Sequence, residues 1–267
     1  MNNHRIAVIG YGAIAKELID RLQAHATLSF TLAVVLRESR TERPALPQDV
    51  HVLRGMKALI DFKPDLVIEA AGQAAVREHA LPCLQAGLTF MAGSVGALAD
   101  DALRSALTQA AIEGRGKLIL PSGAVASLDY IQAVRRLPST VVTYESRKPP
   151  SAWKDELTKR GLPLTLTEPI VLFEGDAGQA ATLFPQNLNV AATLAVAGMG
   201  MTATRVRVVV DPQAKGNEHH IHVTGEAGEL QTQVRNRPSP DNPKTSWVVG
   251  LSILAAVEKH FAPVVVG

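Results

Sequence analysis

The residues best suited to acid–base chemistry lie in the stretch Asn217–Val223, which contains three of the eight histidines of the chain. Side chains of a strand alternate between its two faces. His219 therefore shares the apolar face of Ile221, whereas His220 shares the polar face of His222. Imidazole titrates near neutrality, which makes His219 a candidate catalytic acid or base. A packed structural histidine is the alternative.

The same histidines could in principle hold a metal ion. However, no cysteine or aspartate lies nearby to complete a ligand set, and Glu218 alternates to the face opposite His219. We therefore expect no metal site. Strand phase favours His219 over His220 as the reactive histidine, but the residues by themselves leave the choice between these neighbours open.

A glycine-rich motif near the N-terminus predicts dinucleotide binding. The residues Gly10–Ala15 read G-x-G-x-x-A, between an apolar strand at Arg5–Gly10 and a helix predicted at Ala13–His25. In this context the first glycine permits a tight turn, and the second lets the backbone approach a pyrophosphate at the helix N-terminus. A glycine-rich turn without a ligand is the alternative. The cofactor contacts we assign here are Gly10, Gly12, Ala13 and Ile14.

The end of the second predicted strand, Phe30–Leu36, bears on the choice between NAD and NADP. An acidic residue there would hold the ribose 2′-hydroxyl of NAD, whereas a guanidinium accommodates the 2′-phosphate of NADP. Arg37 stands near the expected position of the acid, with Ser39 and Arg40 beside it. We therefore expect NAD or NADP as cofactor, with Arg37 as a contact unless this loop is only solvated. The small residue Ala71 could also pass under the cofactor.

Two further stretches precede apolar helical segments in the second half. Asn187 and Asn189 could each cap a helix or hydrogen-bond a cofactor amide or ribose. Lys244, Thr245 and Ser246 stand before the last predicted helix, where side-chain and backbone donors would suit a substrate carboxylate. An ordinary capped helix is the alternative for this second stretch.

The elements that must position these residues fall into two parts. Over the first 125 residues strand and helix patterns alternate, which predicts an α/β, Rossmann-type doubly wound parallel sheet. Later strands, from Val141–Ser146 to Leu230–Arg235, are linked with less helix, which predicts a C-terminal α+β domain. We expect a dinucleotide-binding domain at 1–125 and a substrate domain at 126–267, whose last helix, Thr245–His260, could pack back on the first domain.

Composition excludes several other classes. The 267 residues are 46% hydrophobic and 19% charged, with a net charge of +2, so nothing favours nucleic acid or an anionic membrane as partner. The single cysteine, Cys83, excludes a disulfide framework and fits a reducing compartment. The longest uncharged stretch, Leu183–Thr204, contains too many polar residues to span a membrane. We expect a cytoplasmic protein.

Taken together, these motifs resemble the L-aspartate dehydrogenase family. They are GYGAIA at 10–15, SGA at 122–124, FPQNLNVAATLA at 184–195, the pattern N-x-H-x-I-x-V-x-G-x-x-G at 217–228, and NPKTS at 242–246. No single motif is decisive, but their order and spacing are specific and cover nearly the whole chain.

The resemblance implies an enzyme that interconverts L-aspartate and iminosuccinate with NAD or NADP. Iminosuccinate hydrolyses to oxaloacetate and ammonia, and it can also feed NAD biosynthesis. The resemblance places cofactor contacts at Ala124 and Asn189 and the catalytic histidine at His219. It also implies a homodimer, with the C-terminal α+β domain as the catalytic and dimerisation domain. Two rival functions stay open: an oxidoreductase of the dihydrodipicolinate or homoserine type, and a non-catalytic NAD(P)-binding redox sensor in which His219 is dispensable.

Overall fold

A computed structural model describes residues 3–39, 42, 44–184, 189–240 and 245–266. The chain forms two compact units, one of Met1–Pro121 with Gly250–Val266 and the other of Ser122–Val249. No helix among the described residues is long and apolar enough to cross a membrane.

The first unit contains a six-stranded sheet with the order β3-β2-β1-β4-β5-β6, in which every pairing is parallel. This strand order is that of a dinucleotide-binding Rossmann fold. All four residues of β4 are buried, as expected for a strand covered on both faces. The strands are β1 (Asn3–Ile9), β2 (Ser29–Leu36), β3 (His51–Arg54), β4 (Leu66–Glu69), β5 (Phe90–Ala92) and β6 (Leu118–Ile119).

The helices of this unit are α1 (Ala13–Gln23), α2 (Gly55–Asp61), α3 (Gln73–Gln85), α4 (Asp101–Gly114) and α9 (Val248–Phe261). Asp100 caps α4, because its carboxylate accepts a hydrogen bond from the Leu103 N–H. Helix α3 continues through Pro82, although this proline has no N–H to donate to the preceding turn. The last helix begins at Val248, three residues later than the sequence pattern predicts.

The second unit contains a five-stranded mixed sheet with the order β11-β10-β7-β9-β8. Strands β7 and β9 are parallel and the other neighbours are antiparallel. The predicted parallel sheet followed by an α+β half is thus confirmed. The strands are β7 (Val141–Lys148), β8 (Ile170–Asp176), β9 (Arg205–Val210), β10 (Asn217–Gly225) and β11 (Gly228–Asn236).

One face of this second sheet is apolar and buried. It carries Val142 and Tyr144 of β7, Val206 and Val208 of β9, and Ile221 of β10. The helices of the unit are α5 (Leu128–Val134), α6 (Lys154–Lys159), α7 (Ala177–Leu183) and α8 (Asn189–Ala197), with a 3-10 turn at Pro150–Trp153.

Short elements account for the differences from the sequence prediction. Strand β3 and helix α2 were not predicted, because four residues of half-exposed strand and a seven-residue helix carry little periodicity. Helices α5, α6 and α7 were missed for the same reason, since none exceeds seven residues.

Candidate active site

The glycine loop brings backbone rather than side chains to the carboxyl end of β1. The N–H of Gly10 donates to the Val35 carbonyl at 3.1 Å, and Gly10 adopts φ +94°, a conformation that a side chain strains. A Cβ on Gly10 would lie 2.6 Å from the Cβ of Ala71, whereas a Cβ on Gly12 would meet nothing within 4 Å. The first glycine thus serves close packing, and the second leaves open space beside the backbone.

Gly12 is the N-cap of α1, and no side chain caps this helix end. Ala13 and Ile14 form its half-buried first turn, which contains no acidic residue. The first N–H groups of a helix have no partner within it and attract anions. An uncapped N-terminus beside a side-chain-free glycine therefore fits the pyrophosphate of a dinucleotide.

Arg37 directly follows β2 and is exposed. Its side chain is accessible to the ribose 2′-hydroxyl of NAD or the 2′-phosphate of NADP. Arg40, which the sequence analysis placed beside it, lies outside the described residues.

A buried carboxylate that the sequence analysis missed joins two loops at the same edge of the first sheet, the loop after β4 and the loop after β5. Glu69, the last residue of β4, is fully buried. Its carboxylate accepts hydrogen bonds from the N–H groups of Ala71 (2.7 Å), Gly72 (2.6 Å) and Ser94 (2.9 Å), and from the Ser94 hydroxyl (3.0 Å). Glu69 thus holds Ala71 where it meets Gly10. The available signal was an acidic residue ending an otherwise apolar strand.

The other two predicted cofactor contacts belong to the second unit. Ala124 is 7% exposed, and its carbonyl accepts a hydrogen bond from the Asn236 side chain at 2.8 Å. Asn189 is the first residue of α8 and half-buried, and its carbonyl accepts from the Thr193 hydroxyl. Asn187 lies outside the described residues.

His219 lies on the buried face of β10, between Ser146 of β7 and Val234 of β11. It is 4% exposed, and its Nδ1 is 2.8 Å from the hydroxyl of Tyr144. Its other ring nitrogen, Nε2, is buried with no hydrogen-bond partner in the described structure. The tyrosine thus fixes one end of the imidazole and leaves the other end for chemistry.

Electrostatics keep this imidazole neutral. Burial, together with the nearby charges of Lys148 and His220, lowers the pKa of His219 to about 3. Burial also raises the pKa of Tyr144 well above its usual value, although the neighbouring Ser146 hydroxyl acts in the opposite direction. The phenol therefore keeps its proton throughout the physiological range.

Lys148 and Trp153 lie in the same buried region. Lys148 is 6% exposed, and burial lowers the pKa of its ammonium to about 8. Its Nζ is 5.5 Å from the centre of the Trp153 ring. Trp153 is 2% exposed, and its indole N–H has no hydrogen-bond partner in the described structure. The sequence analysis singled out neither residue.

The neighbouring histidine faces the other way. His220 points to the polar face of the sheet, where its ring contacts Glu218 and Gln233. On this face burial opposes ionisation of Glu145, but Arg147 and Arg207 outweigh it and hold its pKa below the usual value. Within the described residues, no group of three or more His, Cys, Asp or Glu side chains could hold a metal ion.

The predicted substrate ligands before α9 are only partly visible. Ser246 is 5% exposed, and its hydroxyl accepts a hydrogen bond from the Asn217 side chain at 2.9 Å. Thr245 is half-buried, and its carbonyl accepts from the Ser239 N–H. Lys244 lies outside the described residues. The Ser246 hydroxyl thus has a structural role that the motif did not reveal.

Comparison with known proteins agrees with both halves of this architecture. Residues 10–121 match the family described as homoserine dehydrogenase, NAD binding domain, and residues 129–260 match aspartate dehydrogenase, C-terminal. A Rossmann unit whose open glycine loop fits a dinucleotide, with a C-terminal unit that matches aspartate dehydrogenase, places the chain among the NAD(P)-dependent oxidoreductases.

Full-length relatives give the particular family. The chain is 52% identical over 265 residues to L-aspartate dehydrogenase 2 of Bordetella pertussis, covering 99% of each chain. It is 39% identical over 256 residues to L-aspartate dehydrogenase of Serratia proteamaculans, covering 96% of each. The crystal structure of aspartate dehydrogenase from Thermotoga maritima has a TM-score of 0.79 at 25% identity, covering 99% of each chain. The chain belongs to the aspartate dehydrogenase family.

Proposed function

We propose that the protein is an L-aspartate dehydrogenase that converts L-aspartate to iminosuccinate, and so to oxaloacetate and ammonia, with NAD or NADP as hydride acceptor. The observation that carries this proposal is the 52% identity to a protein of that name over 99% of both chains. The site agrees with it, because the glycine loop fits a dinucleotide and His219 offers a buried, oriented imidazole.

When bound, the cofactor supplies the hydride chemistry at its nicotinamide. We assign the binding of its pyrophosphate to the backbone of Gly10 and Gly12 and the first turn of α1, which contains Ala13 and Ile14. Ala71, Ala124 and Asn189 stay predicted contacts of the cofactor.

The proton transfers are assigned to His219. In the oxidative direction the substrate ammonium must lose a proton, and water must later be deprotonated as it attacks the imine carbon. Nε2 of a neutral imidazole can accept such a proton. A bound carboxylate would raise the pKa of His219 from about 3, since its negative charge stabilises the imidazolium. Proton acceptance is then coupled to the presence of substrate.

Tyr144 is a positioning residue in this scheme. Its hydroxyl holds Nδ1 at 2.8 Å, which fixes the ring plane and directs Nε2. Tyr144→Phe removes this contact without removing the aromatic ring, so we expect a lower kcat with little change in the KM for the cofactor.

The test is the reductive direction, with purified protein, oxaloacetate, ammonium and NADH or NADPH, followed at the nicotinamide absorbance band. Wild type should oxidise the cofactor, and His219→Asn should lose on the order of 10²-fold or more in kcat. His220→Asn is the matched control, because it changes the adjacent histidine on the opposite face. No turnover with either cofactor despite tight binding would instead favour the redox sensor.

We propose that Arg37 contributes to cofactor choice. Its support is the exposed guanidinium directly after β2, where an acid would favour NAD. Arg37→Asp should lower kcat/KM for NADPH relative to NADH. An unchanged ratio would remove Arg37 from the site.

We also propose a cytoplasmic homodimer whose product can enter NAD biosynthesis. The support for all three statements is the family resemblance. Light scattering coupled to size-exclusion chromatography would show whether the particle has the mass of one chain or of two. A monomer at micromolar concentration would refute the dimer.

A further inference from the structure

The direction of the hydrogen bond between Tyr144 and His219 determines which chemistry the imidazole can do. The Tyr144 hydroxyl and Nδ1 of His219 are 2.8 Å apart, and either atom can be the donor. If the hydroxyl donates, the neutral ring carries its proton on Nε2 and cannot accept another proton there. If Nδ1–H donates, Nε2 has a free lone pair, which is the form that the proposed proton transfer requires.

The protonation states of the two side chains make this choice necessary. Burial keeps the imidazole of His219 neutral, with a pKa of about 3, so only one ring nitrogen carries a proton at neutral pH. Burial also holds the pKa of Tyr144 above its usual value, so its hydroxyl keeps one proton to donate. When the Tyr144 oxygen accepts from Nδ1–H, the phenolic proton needs an acceptor other than His219.

Ser146 places an unused acceptor beside this phenol. It follows Tyr144 on the buried face of β7 and lies directly opposite His219 in the pairing of β7 with β10. Its side chain is fully buried, and Oγ has no hydrogen-bond partner in the described part of the chain. The hydroxyl is close enough to Tyr144 to lower the pKa of the phenol. With no other polar contact to break among the described residues, Oγ is free to turn to the Tyr144 hydroxyl.

The surroundings of Nε2 favour the same direction. Nε2 is buried and has no partner among the described residues. A proton on this atom would be a buried ring N–H without an acceptor, and buried donors of that kind are rare in folded proteins. The hydrogen of a serine hydroxyl, in contrast, can rotate towards any nearby oxygen lone pair. The arrangement that leaves Nε2 unprotonated therefore costs less.

We propose that Ser146 is a positioning residue that selects the tautomer of His219. Its Oγ accepts the Tyr144 O–H, the Tyr144 oxygen accepts Nδ1–H, and the lone pair of Nε2 is left to accept a proton. The inference rests on the proposed function and deepens it, because it assigns to the chain the means by which a neutral histidine is held ready as a base.

The experiment reads the tautomer directly. Histidine rings labelled with ¹⁵N give separate NMR signals for a protonated ring nitrogen and for one with a free lone pair. His219→Asn identifies the signals of this residue among the eight histidines of the full-length protein. Wild type should carry its proton on Nδ1. Ser146→Ala removes the acceptor, so Tyr144 should donate to Nδ1 instead and the proton should move to Nε2.

Kinetics show whether the tautomer matters. In the oxidation of L-aspartate, Ser146→Ala should lower kcat on the order of 3- to 10-fold, the rate equivalent of one neutral hydrogen bond, with the KM for NAD unchanged. In the background of Tyr144→Phe the same replacement should have no further effect, because Ser146 acts only through the phenol. Ser146→Cys, close in size but a weaker acceptor, should be intermediate.

The matched control is Thr204→Val. This variant also deletes a buried hydroxyl that has no partner among the described residues. Thr204 precedes β9 and lies four residues from Val208, the residue of β9 that pairs with Ser146. Valine has the shape of threonine, so this variant should fold and should keep both the wild-type tautomer and the wild-type kcat.

The outcomes separate this inference from the proposed function. A wild-type His219 protonated on Nε2, or an Nδ1–H that persists in Ser146→Ala, would overturn the role of Ser146 even if the enzyme turns over. A lower kcat with an unchanged tautomer would show a merely structural serine and also overturn it. A tautomer that moves in Ser146→Ala, in a protein that does not oxidise L-aspartate with either cofactor, would keep the role of Ser146 and overturn the function.

Discussion

The replacement Glu69→Gln tests whether one buried carboxylate holds the loops around the proposed cofactor site. The carboxylate accepts four hydrogen bonds, three of them from backbone N–H groups. Glutamine has nearly the same shape, but one of its two terminal atoms is a donor. Wherever the new NH₂ group lies, it faces at least one N–H that previously found an acceptor.

The magnitude follows from the two carboxylate oxygens. Oε1 accepts three of the bonds and Oε2 accepts only the bond from the Ser94 N–H. In the least harmful orientation the amide oxygen takes the place of Oε1 and the NH₂ group opposes Ser94. One bond to a charged acceptor, worth about 1.5–3 kcal/mol, is then lost, and a buried N–H is left unsatisfied. We expect the free energy of unfolding to fall by about 2–4 kcal/mol.

Urea unfolding at constant m-value measures this loss, and fluorescence titration with NADH measures the consequence for the cofactor. Affinity should fall, because the displaced Ala71 packs against Gly10. Glu113→Gln is the control, since this exposed glutamate accepts only from Gln109 among the described contacts. It should change stability by less than about 0.5 kcal/mol. If Glu69→Gln is as stable as the control and binds NADH normally, the Glu69 carboxylate does not hold these loops in place.

Three further predictions follow from single residues. The pKa of His219 is about 3 in the folded protein and near 6.5 in the unfolded chain. Protons therefore bind the unfolded chain preferentially, and about 2 kcal/mol of stability is lost from pH 7 to pH 5. Urea unfolding of His219→Asn should show a correspondingly weaker pH dependence. Gly10→Ala should destabilise the fold, because its Cβ would lie 2.6 Å from that of Ala71, whereas Gly12→Ala should keep the melting temperature and weaken NADH binding. The Cys83 thiol is buried and its pKa is raised to about 12 by burial, so a thiol reagent should label it only at the rate of unfolding.

Much of the first unit is predictable because its signals are local. Strand, glycine turn and helix follow one another within Asn3–Gln23, so the pattern that identifies each element depends only on residues close together in the sequence. Alternation along β10 likewise separates His219 from His220 with no knowledge of the partner strands. The fold class and the use of NAD or NADP follow from these local patterns, and the family follows from the resemblance of the five motifs; all three are confirmed. The roles of the individual site residues stay predictions.

The sequence by itself thus determined the parallel sheet, the glycine loop and the strand phase that places His219 on a buried face. Only the tertiary structure decided what surrounds that histidine. Tyr144 lies 75 positions away from it along the chain, and pairing of β7 with β10 is what brings the two together. Lys148 reaches the same region through that pairing, and Glu69 meets Ser94, which lies 25 positions further along the chain. The periodicity of the sequence indicates which face of a strand a side chain occupies. Strand register and packing determine which residues it contacts, and no local sequence pattern specifies them.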